Sequence, residues 1–100
     1  MGENIIVTKS YNFSVKVVKF CFEIQNKKKE FVISRQLLKS GTSIGANIEE
    51  AQGAISKAEF IAKVQISLKE AKETKYWLRL IIDAGVFESD ITTEILNVTS

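Results

Sequence analysis

The sequence has no histidine, no proline, one cysteine and five glycines in 100 residues. Each scarcity removes a class of answer. Without histidine there is no Ser–His or Cys–His couple and no general base of the commonest kind. Nor is there a Glu-x-x-His pair of the sort that builds carboxylate-bridged di-metal centres in helical bundles. The lone Cys21 allows neither an internal disulfide nor a zinc site. Set among Val17, Val18, Phe20, Phe22 and Ile24, it reads as a buried structural thiol. With no proline and so few glycines, the turn residues an all-β chain needs are missing, so long helices are expected. No apolar run approaches the ~18 residues of a membrane span, and the opening MGENIIVTKS lacks a signal-peptide layout. A cytoplasmic protein without a membrane partner is the expectation.

What is present is ordinary in amount and informative in order. The chain is 45% hydrophobic and 26% charged, apolar enough for a real core, and its length suits one domain over residues 1–100. A formal net charge of +2 permits an anionic partner without requiring one.

The chain is organised around KSGTSIGANIEEAQG, residues 39–53. Leu37, Gly41, Ile44, Ile48, Ala51 and Ile55 step by four and three, which is a helical seam. One residue earlier, Gln36, Ser40, Ser43, Asn47, Glu50 and Ala54 repeat the steps with mostly small, polar side chains. Gly41 and Gly45 would each cost about 1 kcal/mol relative to Ala in a helix interior. That loss predicts a central helix crossed closely by another backbone. Asn47 and Glu50 are expected at the core's edge, hydrogen-bonded to neighbouring helices.

Three further helices are predicted around it. The first runs from Ile5 to about Lys27, with Asn4, Thr8 and Ser10 as alternative caps. Two adjacent rows give it a wide buried arc: Tyr11, Val15, Val18, Phe22 and Gln25, then Ser14, Val17, Cys21 and Ile24. The central helix runs from Glu30 or Phe31 to Ala51 or Gln52. The third starts at a capping box, Ser56 with Glu59, with Ile55 stapled onto Phe60. It continues to Gly85 as a left-handed stop, with Val86 and Phe87 folding back. At about 28 residues it would be ~42 Å long. A fourth, capped by Ser89 or Asp90 and carrying Ile91, Ile95, Leu96 and Val98, spans barely three turns. Either the chain is a truncated form or another subunit covers the rest of the third helix, from Val64 and Leu68 to Ala71 and Leu78.

No residue set names a reaction. GTSIGA lacks the Lys-Ser/Thr ending of a phosphate loop and has no strand before it. Glu49, Glu50, Glu70 and Glu73, beside Lys69, Lys72, Lys75, Arg35 and Lys39, read as inter-helix ion pairs. A non-enzyme without cofactor or metal is expected.

The run LLKSGTSIGANIEEAQGA, followed by KAEFIAKVQISLKEAKETKYWLRLIIDAG, resembles the small bacterial four-helix bundle family of 23S rRNA intervening-sequence, or ribosomal-protein-like, proteins. The resemblance rests on Ser43, Ile44, Asn47, Ile48 and Glu50, and on Glu59, Phe60, Ser67, Leu68, Glu70, Glu73, Tyr76 and Trp77. It covers nearly the whole chain, with Gly41 and Gly45 inside its first block. It implies an all-α, antiparallel, up-and-down four-helix bundle with a short fourth helix, assembled as a homo-oligomer, usually a ring of five. Two function classes follow from it. One is association with ribosomal RNA or other nucleic acid through basic residues, for which Lys27, Lys28, Lys29, Arg35 and Lys39 are the candidates. The other is a protein-interaction scaffold or accessory subunit with another protein as partner and no direct nucleic-acid contact.

Overall fold

Asn4 opens the first helix, α1 (Ile5–Lys28), by accepting the Ile6 N–H on its side-chain oxygen at 3.1 Å. The computed structural model describes residues 4–86. The expected fourth helix and the fold-back of Phe87 lie outside them. Lys27 and Lys28 fill the last turn of α1, where the helix dipole favours cations. Lys29 then breaks the helix in the left-handed region, at φ 54°, with its N–H on the Gln25 carbonyl.

Glu30 starts the next helix, α2 (Val32–Gln52), from two residues outside it. Its carboxylate accepts the N–H groups of Val32, Ile33 and Ser34 at 2.9, 2.9 and 2.8 Å, three of the four a helix start leaves over. Burial pushes this carboxyl's pKa up, but the bonds from Ile33, Ser34 and Val32 outweigh it and hold the group below its usual 4.5.

The third helix, α3 (Lys57–Asp83), has the expected box. Ser56 Oγ accepts the Glu59 N–H at 3.1 Å, and Glu59 Oε1 accepts the Ile55 N–H at 2.9 Å. The expected staple is absent: Ile55 is 92% exposed, so it does not cover Phe60. At the far end the Gly85 N–H reaches the Ile82 carbonyl and the Val86 N–H reaches that of Ile81, both at 3.1 Å. Gly85 has φ 67°, and Val86 packs back on the core. This is the double-bonded glycine stop. At 27 residues α3 is about 40 Å long, close to the molecule's 44 Å.

α2 packs against both α1 and α3, whereas no Cα of α1 comes within 8 Å of α3. Its two seams are built differently. Towards α1, a Cβ on Gly41 would lie 2.7 Å from Val17 Cγ1, and one on Gly45 would lie 3.0 Å from both the Ser10 carbonyl oxygen and Ser14 Oγ. That is the close crossing expected from the glycines. Towards α3, the buried hydroxyls of Ser40 and Thr74 bond at 3.0 Å, and Ser67 Oγ donates to the Ile44 carbonyl at 2.9 Å. Above α2, Phe13, Val17, Phe20, Cys21 and Ile24 of α1 meet Leu37, Leu78 and Ile81 in one core. Burial pushes the Cys21 thiol up to about 12, with the Glu30 charge adding to it. It is therefore protonated and unreactive.

Three expectations are corrected here. Asn47 is half-buried and donates to the Ser43 carbonyl of its own helix at 2.8 Å, so it does not tie α2 to a neighbour. A side chain that reaches one turn back along its own helix needs no partner across a seam. Glu50 is exposed, although it does bridge to α3 through Lys63 at 2.7 Å. Of the two α1 rows, only the second is buried. Tyr11 and Phe22 are 59% and 57% exposed, and Val15 and Val18 only half-covered, because α2 lies along the Ser10, Ser14 and Val17 side. The bare part of α3 is also shorter than expected: Leu78 is fully buried, and the exposed apolar residues of the first half are Phe60, Ile61, Ile66 and Leu68.

Candidate nucleic-acid interface

The five cations named from the sequence gather around the α1–α2 turn and the first half of α2's outer face, and all five are exposed. They are not equivalent. Lys27 pairs with Glu23 one turn earlier at 2.8 Å, which removes part of its charge from the surface. Lys28 ends α1 and Lys29 forms the left-handed corner. Arg35 lies over the Phe31 ring, 5.5 Å from its centroid, a cation–π contact that fixes the guanidinium beside the turn. Lys39 follows one turn later on the same side of α2. Further along that helix the outer face turns acidic at Glu49 and Glu50.

A second basic surface was not among the expected residues. Lys9, Asn12, Lys16 and Lys19 recur at three- and four-residue steps, followed by Glu23 and Lys27. They form one outward row along α1, exposed except for the half-buried Glu23. Its signal is the same periodicity that reveals apolar seams, applied to lysine. Lys9, Asn12 and Lys16, with Phe13 as floor, line an open depression of ≈ 300 Å³.

The charge is uneven between elements. All fourteen Lys and Arg lie between Lys9 and Arg79, whereas Glu3, Glu88, Asp90 and Glu94 lie outside residues 4–86. Over the whole chain the fourteen cations face twelve carboxylates. α1 alone has five lysines to one glutamate, α3 six cations to four carboxylates, and α2 two of each.

The family-motif residues are placed for packing and capping. Gly41, Gly45 and Ile48 are buried in α2, and the Ile44 carbonyl takes the bond from Ser67. Ser43 Oγ donates to the Lys39 carbonyl at 2.7 Å. On α3, Glu59 caps, and the Glu70 carbonyl accepts the Thr74 hydroxyl at 2.8 Å. Glu73 accepts the Trp77 indole N–H at 3.3 Å, and Tyr76 meets Trp77 edge-on. Phe60 is exposed. Among the described residues, no group of three His, Cys, Asp or Glu could hold a metal ion. No described helix is long and apolar enough to cross a membrane.

Comparison with known proteins gives matches of wide coverage. The chain is similar to a protein of unknown function from the S23 ribosomal protein family of Bacteroides thetaiotaomicron VPI-5482, whose crystal structure superposes with a TM-score of 0.91. The two are 46% identical, and the match covers 95% of this chain and 88% of that one. No functionally curated protein matches. Residues 2–100 match the family described as 23S rRNA-intervening sequence protein. With nearly the whole chain inside that match, the chain belongs to the 23S rRNA-intervening sequence protein family.

Proposed function

We propose that the protein is a non-enzymatic, homo-oligomeric four-helix bundle that associates with ribosomal RNA, or other nucleic acid of the same backbone chemistry, through its basic surface. The observation that carries the reading is the concentration of lysine on α1, five against one glutamate, continued by Lys29, Arg35 and Lys39 around the α1–α2 turn. The family name points the same way. Lys27, Lys28, Lys29, Arg35 and Lys39 are exposed at one end of α1 and α2, where several phosphates can be met at once. Self-association is supported by the apolar row left on the outside of α1, Tyr11, Val15, Val18 and Phe22, since an apolar stripe of that length is normally covered in a soluble protein. A closed ring, for which five copies is our reading, repeats each lysine cluster around its rim and multiplies weak phosphate contacts. Light scattering coupled to size exclusion tests the assembly: a clean monomer of 11.2 kDa ends it. Titration with RNA from about 50 to about 200 mM salt tests the binding, which should fall steeply and show little sequence preference. An assembled protein that binds no RNA at the lower salt leaves the protein-scaffold reading in its place.

A further inference from the structure

The outward lysine row of α1 differs in kind from the cluster at the α1–α2 turn. It is straight, because it follows one uninterrupted helix, and at 1.5 Å per residue Lys9 and Lys19 stand about 15 Å apart along the axis. It points away from α2, which meets α1 through Ser10, Ser14 and Val17. The one ring lining the depression among the described residues, Phe13, is buried beneath Lys9 and Lys16, and the exposed rings of α1, Tyr11 and Phe22, sit roughly 100° round the helix. The row's one carboxylate, Glu23, lies beyond Lys19 and is engaged with Lys27 at 2.8 Å.

We infer that this row, Lys9 to Lys19, is a second RNA-contacting face beside the α1–α2 turn, and that it takes the phosphate backbone of a duplex. The inference rests on the nucleic-acid reading above and adds where contact is made and with what. Proteins that grip single strands put aromatic rings along the path so that bases stack on them. Duplex RNA hides its bases and is met by shape and by its phosphates. A row of ammonium groups on flexible stems, with no exposed ring among them, can follow phosphates without demanding a fixed geometry. Phe13, beneath Lys9 and Lys16, is only 6% exposed, too little for a splayed base to stack on. Arg35 and Phe31, which do pair a ring with a cation, lie on another helix and outside the row.

The test uses the intact protein with a fluorescent RNA duplex and a single strand of equal length and low structure. Wild type should bind the duplex more tightly. Lys9→Gln with Lys19→Gln should weaken duplex binding at least tenfold at low salt. The slope of log affinity against log salt should also fall by about one per lysine removed, with helicity unchanged. Lys16, already engaged within the chain, is left intact. Glu23→Gln removes the carboxylate that holds Lys27 and should tighten binding, an outcome no folding defect can mimic. Should the lysine pair change neither affinity nor slope while wild type binds RNA, the α1 face is overturned and the nucleic-acid reading survives. Tighter binding of the single strand overturns the duplex assignment. If wild type binds neither RNA, both readings fall together.

Discussion

The two seams of α2 solve the same problem with opposite chemistry. Against α1 the helix presents glycine, and the neighbour's backbone and Val17 come so close that an added Cβ would sit 2.7–3.0 Å from them. Against α3 it presents hydroxyl and carbonyl groups, with bonds of 2.9 and 3.0 Å that specify register. The first seam is held by shape and tolerates no growth. The second is held by paired polar groups and tolerates no loss of a partner, because an orphaned buried hydroxyl costs free energy that a methyl does not.

Substitutions should separate the two. The largest effect is expected at Gly45→Leu, where the side chain meets the Ser10 carbonyl rather than a movable tip. Overpacking of this kind costs about 1–3 kcal/mol or more, read as a drop in melting temperature; a variant as stable as the parent would show that α1 is not closely seated. Thr74→Val keeps the volume and deletes the bonds to Ser40 and to the Glu70 carbonyl. Chemical denaturation should show a loss of about 1–2 kcal/mol, and a Ser40→Ala, Thr74→Val double variant should lose less than the sum of the singles.

Acid should also distinguish them. Glu30 closes the turn between α1 and α2, and its folded pKa lies below 4.5. Its contribution is fully present above pH 4.5 and disappears as pH falls through the lower folded value. Glu30→Gln should therefore flatten that part of the stability–pH curve, and an unchanged curve would rule out the cap. The smallest effect is expected at Asn47→Ala. Its bond runs to its own helix, so the change should stay within about 0.5 kcal/mol. A larger loss would mean that Asn47 helps to hold a seam after all.

Much of this arrangement was legible in residue order. The four-and-three steps through Leu37, Gly41, Ile44 and Ile48 marked α2. Gly41 and Gly45 marked the crossing, and Ser56 with Glu59 marked the start of α3. Other features were not legible, for identifiable reasons. Adjacent α1 rows have the same period, and only the position of α2 decides that Val17 and Cys21 go inward while Tyr11 and Phe22 stay out. Ser40 and Thr74 become partners only once register brings residues 34 apart face to face. Asn47 could reach across a seam or back along its own helix, and spacing does not distinguish the two. Among the cations, adjacency in the chain drew the eye to Lys27, Lys28 and Lys29, whereas the longer row on α1 is visible only by helical face.

The placement of α2 between two neighbours whose Cα atoms stay more than 8 Å apart also bears on the order in which the molecule opens. Each seam joins helices consecutive in the chain, so contacts close over short loops and assembly should be fast. Leu78 and Ile81 of α3 share one core with Phe13, Val17 and Phe20 of α1, so neither outer helix leaves its seam without disturbing the other. Amide hydrogen exchange in the middle of α2, flanked on both sides, should therefore be slower than at the same depth in α1 or α3, and should track global unfolding.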